Sequence, residues 1–315
     1  MGEALVTRKA TGKMIDLRYH IYSLVAVFLA LAVGVVIGTS FTATSPVAQQ
    51  SGKLTRMERM VRRLEHDFTL VRAEIIKKQN EIHVLQIADK RNEEFSRAAL
   101  PLILKNRLAW RNIAIVQTGA YDISGQMKTA LELAGAQVTS VTKILDPRLL
   151  DDSQSVDALT TKLALPSPAA GQHKASPILQ TLAVGLVSAR DQEILAKMEE
   201  LKIITRSGEY NRWNKLVVVV GGGAKKGQNF AERVDAPFIE ELRKTGVVVV
   251  GCEPSDAVES YMRTYRKTDI ATVDNADKSA GQAALVCALA GEAGHFGIKP
   301  TADRFLPESI EGRRR

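Results

Sequence analysis

The pattern of apolar and polar residues divides the chain into three parts, and the first is the most apolar. Residues 21–41 carry no charged side chain. A helix of that length rises about 30 Å, which matches the hydrocarbon thickness of a membrane. The sequence therefore predicts a transmembrane helix. A cleaved signal peptide is the alternative because small residues follow, although its apolar region would be shorter, at about 7 to 15 residues.

Basic residues flank this segment unevenly, which predicts its orientation. Residues 42–52 carry no charge, whereas the preceding tail contains Arg8, Lys9, Lys13 and Arg18. Lys and Arg near membrane helices are retained on the cytoplasmic side. We therefore expect a cytoplasmic tail over 1–20, a single pass through the cell membrane, and an extracytoplasmic location for everything after residue 41.

Small residues recur every fourth position within the predicted membrane helix. They are Ala26, Ala30, Gly34 and Gly38. Small residues on one helix face let two helices approach closely in lipid. Glycine is also common in membrane helices generally, so this spacing alone leaves both explanations open.

A second periodic segment, over 50–96, follows a short polar linker that contains Pro46 and Gly52. Its apolar residues recur at alternating steps of three and four, with one break at Lys78. They are Leu54, Met57, Val61, Leu64, Phe68, Val71, Ile75, Ile82 and Leu85. Heptads of this composition are typical of coiled coils of two parallel helices, so the chain is expected to pair with itself through a parallel coiled coil. The alternative is a long helix that packs on the chain's own globular domain.

Strand and helix patterns alternate over 105–300, the third part. The solid runs at 217–220 and 247–250 lack the alternation of a half-exposed sheet, which is typical of central parallel strands covered on both faces. The fold class predicted for the extracytoplasmic part is therefore α/β, with a Rossmann-like, mostly parallel sheet.

At its margins this domain is less regular. We expect loops with one short helix over 146–177, helices over 178–205 and from Pro254, and a basic tail over 301–315.

Composition removes several functional classes. The formal charge of +8 is spread along the chain and aromatic residues make up 5%, so we expect no nucleic-acid partner. Cys252 and Cys287 lie far apart and fit no metal or redox spacing, which predicts buried thiols and no metal site. His66 and His83 fall at different outer positions of the heptad and cannot converge within one helix.

The glycine-rich stretch after the first valine run resembles a phosphate-binding loop but fails each specific test. It contains Gly221, Gly222, Gly223, Lys225 and Lys226. The last of these lysines stands where a dinucleotide motif needs its third glycine, and Gln228 follows Gly227 where a P-loop would continue with a lysine. The stretch therefore predicts a turn after a buried strand, with a remaining possibility of a ligand or partner loop.

Asp274 and Asp277 lie between a predicted strand and a predicted helix. Capping of that helix is the expected role, although the loop faces the sheet edge at which such folds bind ligands. No nucleophile, base and acid set can be assembled from the remaining residues, so neither an enzyme nor a cofactor is predicted.

Two stretches resemble a known family. "MIDLRYHIYSLVAVFLALAVGVVIGT" at 14–39 and "TVDNADKSAGQAALVCALAGEAGHFGIKP" at 272–300 are similar to the bacterial copper transport family named for MctB. The resemblance implies an envelope protein with a role in copper efflux or tolerance, and it carries over no catalytic residue. The residues themselves leave open a non-enzymatic dimeric scaffold that recruits a protein partner, or a domain that binds a ligand at 221–228; that such a partner belongs to the cell envelope or to cell division is implied by the resemblance alone.

Overall fold

The computed structural model describes residues 17–42 and 46–312, and places side chains over 19–39 and 56–312. Most of the tail expected over 1–20 lies outside the described residues, as do the side chain of Leu54 and residues 313–315. The chain divides into two compact units, Met1–Val84 and Leu85–Arg315.

Helix α1, Leu17–Thr42, contains the apolar segment Tyr19–Thr39, which is long and apolar enough to cross a membrane. Helix α2 then runs without interruption over Pro46–Leu104. The polar stretch with Pro46 and Gly52, expected as a linker, is therefore helical. A proline at the first helical position is tolerated because the amide hydrogen it lacks would have no intrahelical partner there.

Apolar side chains of the predicted seam are exposed along α2. Their exposed fractions lie between 49% at Val61 and 71% at Phe68. Such exposure of large apolar groups on a helix indicates a face without a partner in the single chain.

In the part of the chain that the structure describes, seven strands form one sheet with the order β3-β2-β1-β4-β5-β6-β7. The strands are β1 Asn112–Gln117, β2 Gln137–Ile144, β3 Ile204–Gly208, β4 Leu216–Val220, β5 Val248–Cys252, β6 Ala271–Val273 and β7 His295–Phe296. All neighbours are parallel except β3, which runs antiparallel to β2. The expected α/β fold with a mostly parallel sheet is confirmed at this level.

Helices cover both faces of the sheet. They are α3 Ser124–Leu133, α4 Arg148–Asp151, α5 Ser153–Lys162, α6 Ser176–Ser188, α7 Gln192–Glu200, α8 Ala236–Lys244, α9 Met262–Tyr265, α10 Ser279–Leu289 and α11 Glu308–Glu311. Val217 and Val219 of β4 face a core shared with α6 and α8. Val218 and Val220 face a second core shared with α3, α10 and the last turns of α2. The unbroken valine run follows from this double coverage.

The structure differs from the sequence prediction at the margins of the sheet. The edge strand β3 occupies the end of the segment expected to be helical, because its outward residues Thr205 and Ser207 are polar and give no apolar run. The segment 146–177 contains two short helices, α4 and α5, rather than one. No helix starts at Pro254; the chain forms a loop until Met262.

The segment expected as a basic tail belongs to the domain as far as it is described. Arg304 forms a bridge with Phe296 of β7, which itself gave too short a pattern to be predicted. Pro307 is buried and α11 follows it. The domain therefore extends to Gly312.

Candidate functional site

The loops that follow β1, β4, β5, β6 and β7 meet at the edge where the parallel strands end, which we call the carboxyl edge. The strand order reverses between β1 and β4. Strands β2 and β3 lie on one side of β1, and β4 to β7 lie on its other side. Ligands of open parallel sheets usually bind in the crevice at such a reversal. The glycine-rich stretch lies there.

Backbone groups of the two central loops contact each other in this crevice. The amide of Ala120 donates to the Gly222 carbonyl at 2.9 Å, and the amide of Gly119 donates to Val220 at 3.0 Å. A Cβ at Gly119 would lie 2.6 Å from the Gly222 oxygen. The two loops are therefore in direct backbone contact.

The glycines themselves meet requirements of packing and conformation. A Cβ at Gly221 would lie 2.6 Å from the ring of Tyr261 and would also collide with the Tyr265 hydroxyl. Gly222 has φ +102°, a backbone angle that residues other than glycine rarely adopt. Lys225 and Lys226 are exposed, and neither forms an ion pair with the residues that the structure describes.

A cleft of about 410 Å³ lies beside this contact and is lined by the ends of β1 and β2 and by Gly223. Its basic side chains are Lys143 and Arg148. The Arg148 guanidinium is bound by Asp146, with Nε 2.9 Å from Oδ1, and this hydrogen bond lowers the pKa of the Asp146 carboxyl. The half-buried Lys143 forms no ion pair among the described residues.

Asp235 is a buried acid behind the crevice, at the end of the π-helical turn Ala231–Asp235. Its Oδ2 accepts hydrogen bonds from the Thr118 hydroxyl at 2.6 Å and from the Tyr265 hydroxyl. Its Oδ1 has no partner among the described residues. Burial raises the pKa of Asp235 from 3.8 to about 7, although both hydrogen bonds act to lower it. The sequence analysis missed this residue, because both partners come from distant segments.

A buried ion pair joins the loops after β5 and β7. The Lys299 ammonium lies 2.6 Å from Glu253 Oε1, and Glu253 is fully buried. The same carboxylate accepts from the Ser260 hydroxyl at 2.6 Å and from the Tyr261 amide at 2.8 Å. These hydrogen bonds and the ion pair compensate the buried charge of Glu253, so the pair holds the loops after β5 and β7 together.

The two predicted carboxylates at this edge also bind loops. Asp274 accepts from the amides of Ile298 and Lys299, at 2.7 and 2.9 Å. Asp277 accepts from the amide and hydroxyl of Ser255, at 2.6 and 2.7 Å.

The expected capping of α10 by either of these aspartates does not occur. Glu93 of α2 performs it, since Glu93 Oε1 accepts from the Ser279 amide at 3.1 Å and from its hydroxyl at 2.7 Å. This contact joins the end of the long helix to the start of α10.

Soft ligands suited to copper are dispersed over the described residues. The Cys252 thiol donates to the Met127 sulfur at 3.7 Å inside the second core, where burial raises its pKa and keeps it a thiol. Cys287 contacts Arg107 and Ser309, and burial raises its pKa as well. Among the described residues no group of three or more His, Cys, Asp or Glu side chains is arranged to hold a metal ion.

Comparison with known proteins gives one consistent match. The model of a family described as "Copper transport outer membrane protein, MctB" matches residues 14–307. "Copper transporter MctB" of Mycobacterium tuberculosis (strain ATCC 25618 / H37Rv) is 24% identical over 316 residues, which cover 90% of this chain and 96% of that protein. The protein of the same name from Mycobacterium bovis has the same identity and coverage. The matched region includes the apolar helix, α2 and the α/β domain.

Proposed function

Because this chain belongs to the MctB family of copper transport proteins, we propose that it is a membrane-anchored envelope protein that takes part in copper efflux or tolerance. The observation that carries the proposal is the extent of the family match. It spans the apolar helix and the α/β domain together, so the similarity concerns the whole arrangement and not a common fold alone.

The proposed topology is a single pass with the α/β domain outside the cytoplasm. The apolar segment Tyr19–Thr39 supports an anchor by its length and composition. The basic residues that precede it support a cytoplasmic N-terminal side.

The copper role proposed here does not depend on a metal site inside the domain. Both thiols are buried and protonated, and the Cys252 thiol is already bound to a thioether. Thioethers favour Cu(I), and the exposed ones among the described residues are Met57 and Met60 on α2. We therefore place the contribution of the chain in assembly with itself or with other envelope components.

A parallel homodimer through α2 is the assembly that the side chains support. Burying one large apolar side chain stabilises a protein by about 1.5 to 3 kcal/mol, and the seam leaves several exposed. Lone helices also gain little stability from propensity alone, so a 59-residue helix is expected to pack against a partner. Within the membrane helix, no atom lies within 4 Å of a Cβ placed at Gly34, which leaves room for a second helix.

For the α/β domain we infer a Rossmann-like relationship at the level of strand order and a non-enzymatic role. The order from β3 through β1 to β6 supports the first part, with the antiparallel β3 as a departure. The lack of a complete phosphate-binding motif around Gly221 supports the second.

The second candidate function is a dimeric scaffold for envelope or cell-division partners, and the exposed seam favours it. Deletion of the gene separates the two functions. Copper handling predicts a strain whose growth is inhibited by lower copper concentrations than inhibit the parent, with rescue by the wild-type chain. Rescue by the Cys252→Ser and Cys287→Ser double variant, at matched protein level, is also expected. Unchanged copper tolerance together with envelope or division defects would contradict copper handling and support the scaffold function.

A further inference from the structure

The two tryptophans of the chain, Trp110 and Trp213, are both exposed, although they are large apolar residues. Trp110 is 96% exposed and Trp213 is 64% exposed. Single exposed apolar side chains are ordinary on protein surfaces, but two neighbouring tryptophans are a marker of an interaction surface.

The sheet places the backbone of these two residues at the same edge. Trp110 stands three residues before Ile113 of β1, and Trp213 stands three residues before Leu216 of β4. Ile113 and Leu216 are paired in register, and the Asn112 side chain donates to the Trp213 carbonyl at 3.2 Å. Both tryptophans therefore lie at the edge where the central strands begin, which we call the amino edge, opposite the crevice described above.

The segment that carries Trp110 is held in place by backbone hydrogen bonds. The amides of Leu108 and Trp110 donate to the carbonyls of Ala134 and Gly135, at 2.9 and 3.1 Å. Leu108 is buried in the core. Trp110 nevertheless has φ +63°, a conformation that is unfavourable for a bulky residue. The backbone hydrogen bonds thus fix this conformation, and the indole is left exposed to solvent.

Basic side chains surround the two tryptophans in sequence. Lys105, Arg111 and Lys215 are exposed, and in the described part of the chain none of them forms an ion pair. Arg212 is the exception, since it binds Glu209 at 2.7 Å. Arg111 and Lys215, which directly precede β1 and β4, therefore place two unpaired positive charges beside the two indoles at the amino edge, and Lys105 lies five residues before Trp110 in the connection from α2.

We propose that Trp110 and Trp213, with Lys105, Arg111 and Lys215, form a docking surface for an anionic lipid membrane. Indole rings favour the boundary between headgroups and acyl chains, and Lys and Arg extend their charges to anionic headgroups. A protein partner is the less suitable occupant, because lysine is depleted at the core of protein interfaces and two of the three cations are lysines. The surface would hold the domain against a bilayer in addition to the anchor helix.

Tryptophan fluorescence tests this proposal directly, because the chain has no tryptophan outside the surface. The full-length protein would be inserted in nanodiscs of phosphatidylcholine, or of phosphatidylcholine with phosphatidylglycerol, held by a scaffold without tryptophan and with brominated acyl chains in half of the samples. The disc protein would also be titrated with separate vesicles of each composition. We expect a blue-shifted emission and quenching by brominated lipid when phosphatidylglycerol is present. The two formats distinguish docking on the anchoring bilayer from docking on a second one.

Charge variants add a measure of affinity with a matched control. Changing Lys105, Arg111 or Lys215 to Gln is expected to lower the affinity of the surface for anionic lipid about fivefold each. The control is the pair Lys225→Gln and Lys226→Gln, which removes positive charge at the opposite edge and should leave the fluorescence response unchanged. Circular dichroism verifies that each variant is folded.

Three results would overturn the proposal. The first is an emission spectrum that does not change with lipid composition and is not quenched by brominated lipid. The second is a blue shift that follows protein concentration in phosphatidylcholine discs, which would assign the surface to a second copy of the chain. The third is an equal loss of the fluorescence response in the control with Lys225→Gln and Lys226→Gln. That result would show that the response depends only on the net charge of the protein.

Discussion

Asp235 is a buried residue whose protonation couples the stability of the fold to pH. Its carboxyl has a pKa of about 7 in the folded state because of burial, against about 3.8 when exposed. Between these values the folded chain holds a proton that the unfolded chain has lost. The free energy of unfolding is therefore expected to fall as pH rises from about 4 to 7, by about 4 kcal/mol from this group, and to level off above that.

The variant Asp235→Asn removes this titration while it keeps a polar group in the site. Its stability relative to the wild type should be about 3 kcal/mol more favourable at pH 8 than at pH 5. Denaturation in detergent, followed by the near-ultraviolet circular dichroism of the tyrosines, measures the difference. A stability difference between variant and wild type that stays constant from pH 5 to pH 8 would contradict a buried neutral Asp235.

Gly221 and Lys226 distinguish a packing role of the glycine-rich stretch from an anion-binding role. Gly221→Ala places a methyl group against Tyr261 and Tyr265, and overpacking of this kind costs about 1 to 3 kcal/mol. Lys226→Ala removes an exposed side chain and should change the unfolding free energy by less than about 0.5 kcal/mol. Binding of phosphate that is lost in Lys226→Ala would instead indicate an anion loop.

Residue-level features were predictable from the sequence only where the partners are close in the chain. The absence of a complete phosphate-binding motif around Gly221 can be read from neighbouring residues. The bond between Thr118 and Asp235 joins segments 117 positions apart, and that between Glu93 and Ser279 joins segments 186 apart. No local pattern specifies such pairs, because they depend on the order of strands in the sheet.

At the scale of elements, hydrogen bonds to Glu93 connect the C-terminal part of α2 to the start of α10. Glu93→Ala leaves the Ser279 amide without its acceptor, and we expect a loss of about 1 kcal/mol in the free energy of unfolding. Faster hydrogen exchange at Ser279 is the specific signature. Glu94→Ala, one position along at an exposed site, is the matched control and should change neither quantity. Equal hydrogen exchange at Ser279 in Glu93→Ala and Glu94→Ala would show that the contact between Glu93 and Ser279 does not stabilise the start of α10.

The seam of α2 makes a prediction about self-association. The double variant Leu64→Glu and Ile75→Glu puts charges on the exposed apolar face, and crosslinking of the membrane-bound chain as a dimer should be lost. Ala73→Glu with Asn80→Glu adds the same charges on the opposite face of the helix and should crosslink as the wild type does. Dimers that persist in the first variant would mean that the proposed seam is wrong.

Elements with a strong local signal were predicted well, and those at the margins were not. Central strands such as β4 and β5 are solid valine runs because both faces are covered. The edge strand β3 and the two-residue β7 carry few buried residues, so they gave no apolar run to recognise. The stretch around Gly52 was expected as a linker because glycine is an unfavourable helix residue, yet it lies within α2.

At the scale of the whole molecule, the proposed account joins a membrane helix, a pairing helix and an α/β domain in a copper-handling envelope protein. The family match over 14–307 covers all three parts. The α/β class and the apolar helix followed from the pattern of apolar residues. A role in copper did not, since Cys252 is buried in the second core, Cys287 is buried beside Arg107 and Ser309, and no group of metal ligands is gathered among the described residues.

The central claim is that the chain lowers the copper burden of the cell, and cell-associated copper is its most direct measure. Elemental analysis would compare the parent, the deletion strain and the complemented strain after growth in added copper. We expect more copper per cell in the deletion strain, a return to the parental value with the wild-type gene, and unchanged zinc. Equal copper in all three strains would contradict it.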